Sequence, residues 1–164
     1  MGKHHRHAGL LWVGAQFLLI GVWTYLVLTD YKVLLRNFLD RSPLSAVGTI
    51  TLFGGLIITI VATINLGSSL TPLPEPKESA RLITSGLYGR IRHPIYTGIL
   101  LIVWGGTLLR LAGNASGTIP LLILSLFMTI FFTLKSIYEE TQLINRYPEY
   151  GDYRKSTGRF LPWV

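Results

Sequence analysis

The sequence predicts an all-α, polytopic membrane protein with about four transmembrane helices and a short cytoplasmic helical segment after the last of them. Hydrophobic residues make up 49% of the 164-residue chain and charged residues only 14%, whereas soluble domains carry roughly 25% charged residues. Four apolar runs approach the length of roughly 20 residues that a bilayer-crossing helix needs. The chain has no cysteine, which excludes disulfides, thiolate nucleophiles and cysteine-ligated zinc.

The first predicted span is the apolar run of residues 8–28, in which Gln16 and Thr24 are the only clearly polar side chains. The histidine-rich residues 1–7 are interpreted as its positively charged flank, and no metal site is predicted. In residues 29–43, apolar side chains recur at helical spacing among basic ones. This pattern suits a short helix lying in the membrane interface, and an ordinary loop is an equal alternative for so short a segment.

The second predicted span is residues 44–66. Its glycines are expected to let another helix approach closely; they are Gly48, Gly54 and Gly55. Prolines at three alternate positions then predict an extended connection in residues 67–80. This break divides a single membrane domain into a two-helix anchor, residues 1–66, and a catalytic half, residues 67–164.

The third predicted span is residues 95–109. Before it, Gly86 and Gly89 predict a tight turn, and the His93-Pro94 pair predicts a helix start, because proline is tolerated in the first turn. Residues 110–118 are expected to form a small loop.

The fourth predicted span is residues 119–134, and its helix is expected to continue through Glu140 into water. The polar, aromatic residues 142–164 would form the C-terminal segment.

The basic residues predict the orientation. Eleven of the 15 Lys and Arg residues lie before the first span, between the second and third, or after the fourth. The positive-inside rule therefore puts both termini and the middle connection in the cytoplasm. A formal charge of +7 would also suit nucleic acid, but bases that flank apolar spans favour an anionic membrane leaflet, so no nucleic-acid partner is predicted.

The same placement brings two groups of polar side chains to one membrane face. Residues 88–96 hold two tyrosines, two arginines and a histidine, and Glu139 and Glu140 stand at the end of the fourth span. Two interpretations remain open. The glutamates could pair with Arg90 and Arg92 and anchor the helix, or the cluster could bind a small, charged, water-soluble ligand, with tyrosines against an aromatic base or a cation.

Two ordered blocks of residues resemble the signature of the isoprenylcysteine carboxyl methyltransferase and phospholipid methyltransferase superfamily. The similarity covers about residues 78–162. The first block comprises Glu78-Ser79, Leu82-Ile83-Thr84-Ser85-Gly86-Leu87-Tyr88 and Arg92-His93-Pro94-Ile95-Tyr96-Thr97-Gly98, and the second comprises Glu139-Glu140, Leu143, Glu149-Tyr150, Tyr153 and Arg159-Phe160-Leu161-Pro162.

The resemblance implies a membrane methyltransferase that uses S-adenosylmethionine. By this resemblance, the cofactor-binding residues would be Arg81, Leu82, Ile83, Tyr88, His93, Pro94, Tyr96, Glu139 and Glu140. The acceptor, a membrane lipid or a prenylated small molecule, would approach sideways from the bilayer. Arg92 and Lys135 are the candidate catalytic cations that would hold an acceptor carboxylate.

The acceptor atom stays open at this point. Lys135 stands about where the carboxyl methyltransferase branch has an arginine, and lysine lacks the bidentate grip of a guanidinium. A carboxylate needs no general base, whereas an amine or thiol would have to lose a proton, to His93 or a glutamate. The alternatives are therefore a phospholipid N-methyltransferase, a sterol-reductase-like enzyme that uses NADPH, and a scaffold without catalytic activity.

Overall fold

The computed structural model describes residues 2–40, 42–74, 80–113 and 118–162, with side chains from residue 9 onward. Its α-helices are α1 (Gly2–Leu28), α2 (Tyr31–Leu39), α3 (Pro43–Leu66), α4 (Pro94–Ala112), α5 (Thr118–Arg146) and α6 (Tyr150–Ser156). These described residues contain no β-strand, so the predicted all-α class is confirmed. The side chains of residues 1–7 and the part of the predicted extended connection from 75 to 79 lie outside the described residues.

Four helices are long and apolar enough to cross a membrane: Gly9–Leu28, Pro43–Ser69, Pro94–Ala112 and Thr118–Arg146. Their outward surfaces carry exposed hydrophobic side chains such as Leu11, Ile50 and Ile119, as lipid-facing helices require because the bilayer core offers no water. The four predicted spans are confirmed. Trp23, Leu121, Met128 and Phe132 lie in the hydrophobic core between the helices.

The central part of residues 29–43 forms a helix, α2 (Tyr31–Leu39), rather than an ordinary loop. It is short and amphipathic, and its one buried residue is Asn37. The Asn37 Nδ2 atom donates a hydrogen bond of 2.7 Å to the carbonyl oxygen of Leu109, which fixes α2 against the C-terminal end of α4. An amide at this position supplies a donor to a carbonyl at a helix end, where no intrahelical partner exists.

Helices α3 and α4 pack closely along a glycine seam. A Cβ atom added to Gly55 would lie 2.6 Å from the Gly98 carbonyl oxygen and 2.7 Å from the Ile102 nitrogen, and one added to Gly48 would also meet α4. The predicted packing role is therefore confirmed for these two glycines. It is wrong for Gly54, where an added Cβ would meet nothing within 4 Å. Helix α3 of the predicted anchor and helix α4 of the predicted catalytic half thus share a tight interface.

Helix α4 runs further than expected. The predicted loop began at Arg110, but α4 extends to Ala112, and Arg110 is only 3% exposed. Its Nη1 atom donates to the Asp30 carbonyl oxygen at 3.2 Å and lies 3.6 Å from the Asp30 carboxylate. The start of α2 therefore gives this arginine the partners that a charge near the end of a membrane helix needs.

Helix α5 continues without a break through Lys135 and Glu140, as predicted, and extends further, to Arg146. Two charged side chains of this polar end are nevertheless buried, since Lys135 is 1% exposed and Glu140 is 3% exposed, while Thr141, Asn145 and Arg146 are exposed. The C-terminal residues fold back over this end of the helix. Buried charges are tolerated only when they are paired, and the partners of these two define the candidate site.

Candidate functional site

The turn before α4 places the first block of polar residues. Gly86 has a φ of +61°, in the left-handed region that glycine adopts at little cost, and it opens the 3-10 turn Gly86–Gly89. The Leu87 backbone N–H donates to Asn65 Oδ1 at 3.1 Å, which ties the turn to the end of α3. The predicted tight turn is confirmed, and it holds the buried side chain of Tyr88 at the site.

The start of α4 is joined to the residues that follow α6. The backbone N–H groups of Arg92 and His93 donate to the carbonyl oxygens of Gly158 (2.8 Å) and Arg159 (3.1 Å), and the Gly158 N–H donates back to Arg90 (3.1 Å). Pro94 occupies the first turn of α4 and is buried, as the sequence predicted. The C-terminal segment is thereby bonded to the first block.

Glu139 meets His93 and Tyr96 of α4. The Tyr96 hydroxyl donates to Glu139 Oε1 at 2.5 Å, and His93 Nδ1 lies 3.5 Å from Glu139 Oε2. The rings of His93 and Tyr96 are stacked, with centroids 5.6 Å apart. The predicted meeting of the two blocks is therefore confirmed at the level of individual atoms.

Glu140 is the centre of a buried charge cluster behind Glu139. Arg92 Nε donates to Glu140 Oε1 at 3.1 Å, and Arg159 donates through Nε (3.0 Å) and Nη2 (3.1 Å) to its two carboxylate oxygens. The Nη1 atom of Arg92 donates to the carbonyl oxygens of Thr157 and, at 3.0 Å, Arg154. Of the two arginines that could pair with the glutamates, Arg92 does so, while Arg90 is exposed.

Lys135 lies one helical turn before Glu139 and is buried. Its Nζ atom donates to Gln16 Oε1 of α1 and to the Pro72 carbonyl oxygen at 3.2 Å. The same atom is 3.8 Å from Glu139 Oε1 and 5.3 Å from the centre of the Tyr96 ring. The Lys135 ammonium group thus links α1, the connection after α3, and the hydrogen-bonded pair of Glu139 and Tyr96.

The surroundings set the protonation of the groups outside the spans. Burial, the largest influence, lowers the pKa of His93, but the carboxylates of Glu139 and Glu140 together raise it further, so the net shift is upward from 6.5. Burial raises the pKa of Tyr153 to about 12 and that of Tyr88 well above its usual range. At neutral pH both tyrosines are therefore protonated and able to donate hydrogen bonds.

These side chains surround a cavity of about 320 Å³, a volume within the range of small-molecule sites. Nine of the eleven predicted site residues line it: Arg81, Leu82, Ile83, Tyr88, Arg92, His93, Tyr96, Lys135 and Glu139. Pro94 and Glu140 are not among its lining residues. Of the two adjacent glutamates, Glu139 therefore lines the cavity, and Glu140 holds its wall together from behind.

Sequence reasoning missed part of the cavity wall. Gln16 of α1, Leu66 of α3 and the connection that follows α3 also line it, as do three tyrosines near the end of the chain; these are Tyr147, Tyr150 and Tyr153. Tyr150 is 1% exposed, and its hydroxyl has no hydrogen-bond partner among the described residues. For Gln16 a signal existed, because a polar residue inside a membrane span is a functional candidate by default.

Comparison with known proteins places the chain in a family context. The family model described as phospholipid methyltransferase matches residues 44–150. The protein-S-isoprenylcysteine O-methyltransferase of Rattus norvegicus is 31% identical over 125 residues, which cover 74% of this chain and 42% of the relative. The enzyme of that name from Schizosaccharomyces pombe is 29% identical over 123 residues, covering 73% and 49%.

A probable protein-S-isoprenylcysteine O-methyltransferase of Oryza sativa subsp. indica is 27% identical over 169 aligned positions, which cover 99% of this chain and 84% of the relative. The chain spans less than half the length of the rat and yeast relatives that it matches. Helix α1 and the residues after Tyr150 lie outside the matched family region.

Proposed function

Because the chain belongs to the phospholipid methyltransferase family, we propose that it is an integral membrane methyltransferase that transfers a methyl group from S-adenosylmethionine to a lipophilic, isoprenylcysteine-like acceptor. The relatives named protein-S-isoprenylcysteine O-methyltransferase support this acceptor class. The observation that carries the proposal is the cavity, because both blocks of the resemblance contribute side chains to its wall.

The residues present fit S-adenosylmethionine. The unpartnered hydroxyl of Tyr150 and the carboxylate of Glu139 suit the hydroxyls and amino group of such a ligand, because buried polar groups require hydrogen-bond partners. Leu82, Ile83 and Tyr88 offer an apolar and aromatic surface for the adenine ring. The mixture of a few polar groups in a mainly apolar cavity is typical of cofactor sites.

When bound, S-adenosylmethionine supplies a methyl group that its sulfonium has already activated. The work left to the protein is therefore positioning and the exclusion of water. Glu139 is held for this purpose by the Tyr96 hydroxyl, and His93 stacks on the Tyr96 ring. The charge cluster around Glu140 closes the wall from behind and keeps the C-terminal segment in place.

Lys135 is the cation that we assign to an acceptor carboxylate, because its ammonium group lines the cavity and contacts Gln16 of α1. Arg92 has a different environment, since its guanidinium donates to Glu140 and to two backbone carbonyls. These contacts support a positioning role for Arg92, which joins the start of α4 to the C-terminal segment.

A second candidate function is N-methylation of a phospholipid headgroup, which the description of the matching family favours. A buried ammonium beside the cavity argues against it, because a cationic headgroup would be repelled there.

We also propose that the cavity opens to the cytoplasm, which the distribution of 11 of the 15 basic residues supports by the positive-inside rule. A Ser156→Cys variant of this cysteine-free chain would test the orientation. An impermeant thiol reagent should label it from the cytoplasmic side only, and labelling from the opposite side would contradict the assignment.

Calorimetric titration of the detergent-purified protein with S-adenosylhomocysteine tests the cofactor. We expect saturable binding to the wild type and a loss of about tenfold in affinity in Glu139→Gln, because a charge-assisted hydrogen bond is removed. Glu149→Gln is the matched control, since Glu149 is exposed and outside the cavity wall. Absence of binding to a folded wild type, or tighter binding of NADPH, would overturn the proposal.

A further inference from the structure

Gln16 is the polar side chain that the first span contributes to the cavity. It is 8% exposed, and it lies seven residues inside the apolar stretch that starts at Gly9, which is about 10 Å along a helix. Its only described hydrogen bond is the one that its amide oxygen accepts from Lys135 Nζ. An ammonium can only donate, so this contact fixes which end of the amide faces the lysine.

The contact therefore leaves the Gln16 amide nitrogen with two unused N–H donors beside the cavity. Lys135 is in a similar state. Of its three N–H donors, one serves Gln16 and one serves the Pro72 carbonyl oxygen. Glu139 Oε1 is 3.8 Å away, which is beyond hydrogen-bond distance, so the third donor is available to a ligand.

We propose that Gln16 and Lys135 together form the subsite for the acceptor's anionic headgroup, and that Gln16 of the first span makes this subsite selective for a carboxylate. This inference rests on the proposed function and names the acceptor class within it. Lysine presents a point charge without the planar fork of arginine. The Gln16 amide nitrogen supplies a second N–H group, from which the other carboxylate oxygen can accept a hydrogen bond.

The chemistry of a carboxylate acceptor is balanced without further groups. An acceptor carboxylate oxygen forms the new O–CH₃ bond as the S–CH₃ bond of the methyl donor breaks, giving a methyl ester and a thioether. No proton is released, so no base is needed at the Gln16–Lys135 subsite. Both members of the subsite present N–H donors, whereas an ammonium headgroup would need acceptors.

The test uses three compounds with one farnesyl thioether tail: S-farnesyl-N-acetylcysteine, its neutral primary amide, and the cationic S-farnesylcysteamine. Binding of each to the 164-residue chain in nanodiscs is measured by thermal shift and calorimetry, with S-adenosylhomocysteine present. We expect the wild type to bind the acid at least tenfold more tightly than the amide, and to bind the amine most weakly, since a charge-assisted hydrogen bond is stronger than a neutral one.

Gln16→Leu should reduce the preference for the acid over the amide by about tenfold, because a donor to a charged group is lost. Gln16→Glu keeps a partner for Lys135 and so protects the fold, but it should abolish the acid preference and raise affinity for the amine. Thr24→Val is the matched control, since Thr24 is exposed and is the other clearly polar residue of the span; it should change neither ratio.

An unaltered acid preference in both Gln16 variants would overturn the inference, even if their stability fell, because Gln16 would then only satisfy a buried lysine. Equal binding of acid and amide by the wild type would also overturn it. Failure of the proposed function is distinguishable, because it appears as an absence of S-adenosylhomocysteine binding to the wild type. If that ligand binds and the acid is not preferred, only the subsite assignment fails.

Discussion

Replacement of Glu140 by glutamine should destabilise the protein far more than any other loss of a single carboxylate near the cavity. Its side chain is 4% exposed and that of Arg92 is 8% exposed, while Arg159 is 26% exposed. The change keeps the shape of the side chain and one acceptor oxygen. It removes the negative charge that two arginines share at 3.0 to 3.1 Å.

The magnitude follows from these contacts. Removing one member of a buried ion pair costs about 3–5 kcal/mol, because the remaining charge stays buried without compensation. Because Arg159 is partly exposed, water screens its interaction with Glu140. We therefore expect a loss of stability at the lower end of this range, about 3 kcal/mol. For a chain of this size that corresponds to a fall in Tm of roughly 6–12 °C.

The assay is thermal unfolding of the detergent-purified protein, followed by circular dichroism, with limited trypsin digestion beside it. Glu140→Gln should also expose the chain near Arg154 to trypsin, because the C-terminal segment loses its main ionic attachment. Asp152→Asn is the matched control: it breaks an ion pair with Lys155 whose two side chains are 88% and 80% exposed, and it should leave Tm unchanged. A Glu140→Gln protein as stable as the control would refute the reasoning.

Two further predictions concern His93 and the glycine seam. The pKa of His93 is raised in the folded state, so its stabilising effect should be fully present below about pH 6.5 and should decline as pH rises through the higher folded-state pKa. The Tm difference between the wild type and His93→Gln, measured from pH 5.5 to 9, should therefore shrink as pH rises. A constant difference would contradict this prediction. Gly55→Ala should lower stability by about 1–3 kcal/mol through overpacking, because its Cβ would meet α4, whereas Gly54→Ala should not. Equal effects of the two substitutions in chemical denaturation would show that the seam does not depend on close approach.

The elements of this fold could be predicted because each apolar run has the length of a membrane crossing, but adjacent residues could not be assigned to faces. Successive residues of a helix differ in direction by about 100°. Gly54 and Gly55 are equivalent in sequence, yet only Gly55 faces α4. Glu139 and Glu140 likewise cannot be told apart in the sequence, and only the packing of α4 and the C-terminal segment directs Glu139 to the cavity.

The contacts of α1 and α2 could not be predicted from the sequence either, because they depend on which face of each helix packs against its neighbours. The only clearly polar residues of the first span, Gln16 and Thr24, differ in role because Gln16 faces Lys135 of α5, a residue 119 positions away. Helix α2 is fixed in place by a hydrogen bond from Asn37 to a carbonyl oxygen of α4, 72 positions further along the chain. Long-range partners of this kind are set by helix packing, which local periodicity does not contain.

The attachment of Arg159 to Glu140 has a consequence for how the protein is made. Synthesis is vectorial, and domains assemble as the chain emerges, so all four spans are translated before the arginine that completes the charge cluster. Until Arg154 and Arg159 are made, the described ionic partners of Glu140 come from the start of α4 alone. The cavity wall is therefore completed late in synthesis. A chain that ends after α5 would have its four spans but would lack the C-terminal part of the cavity wall.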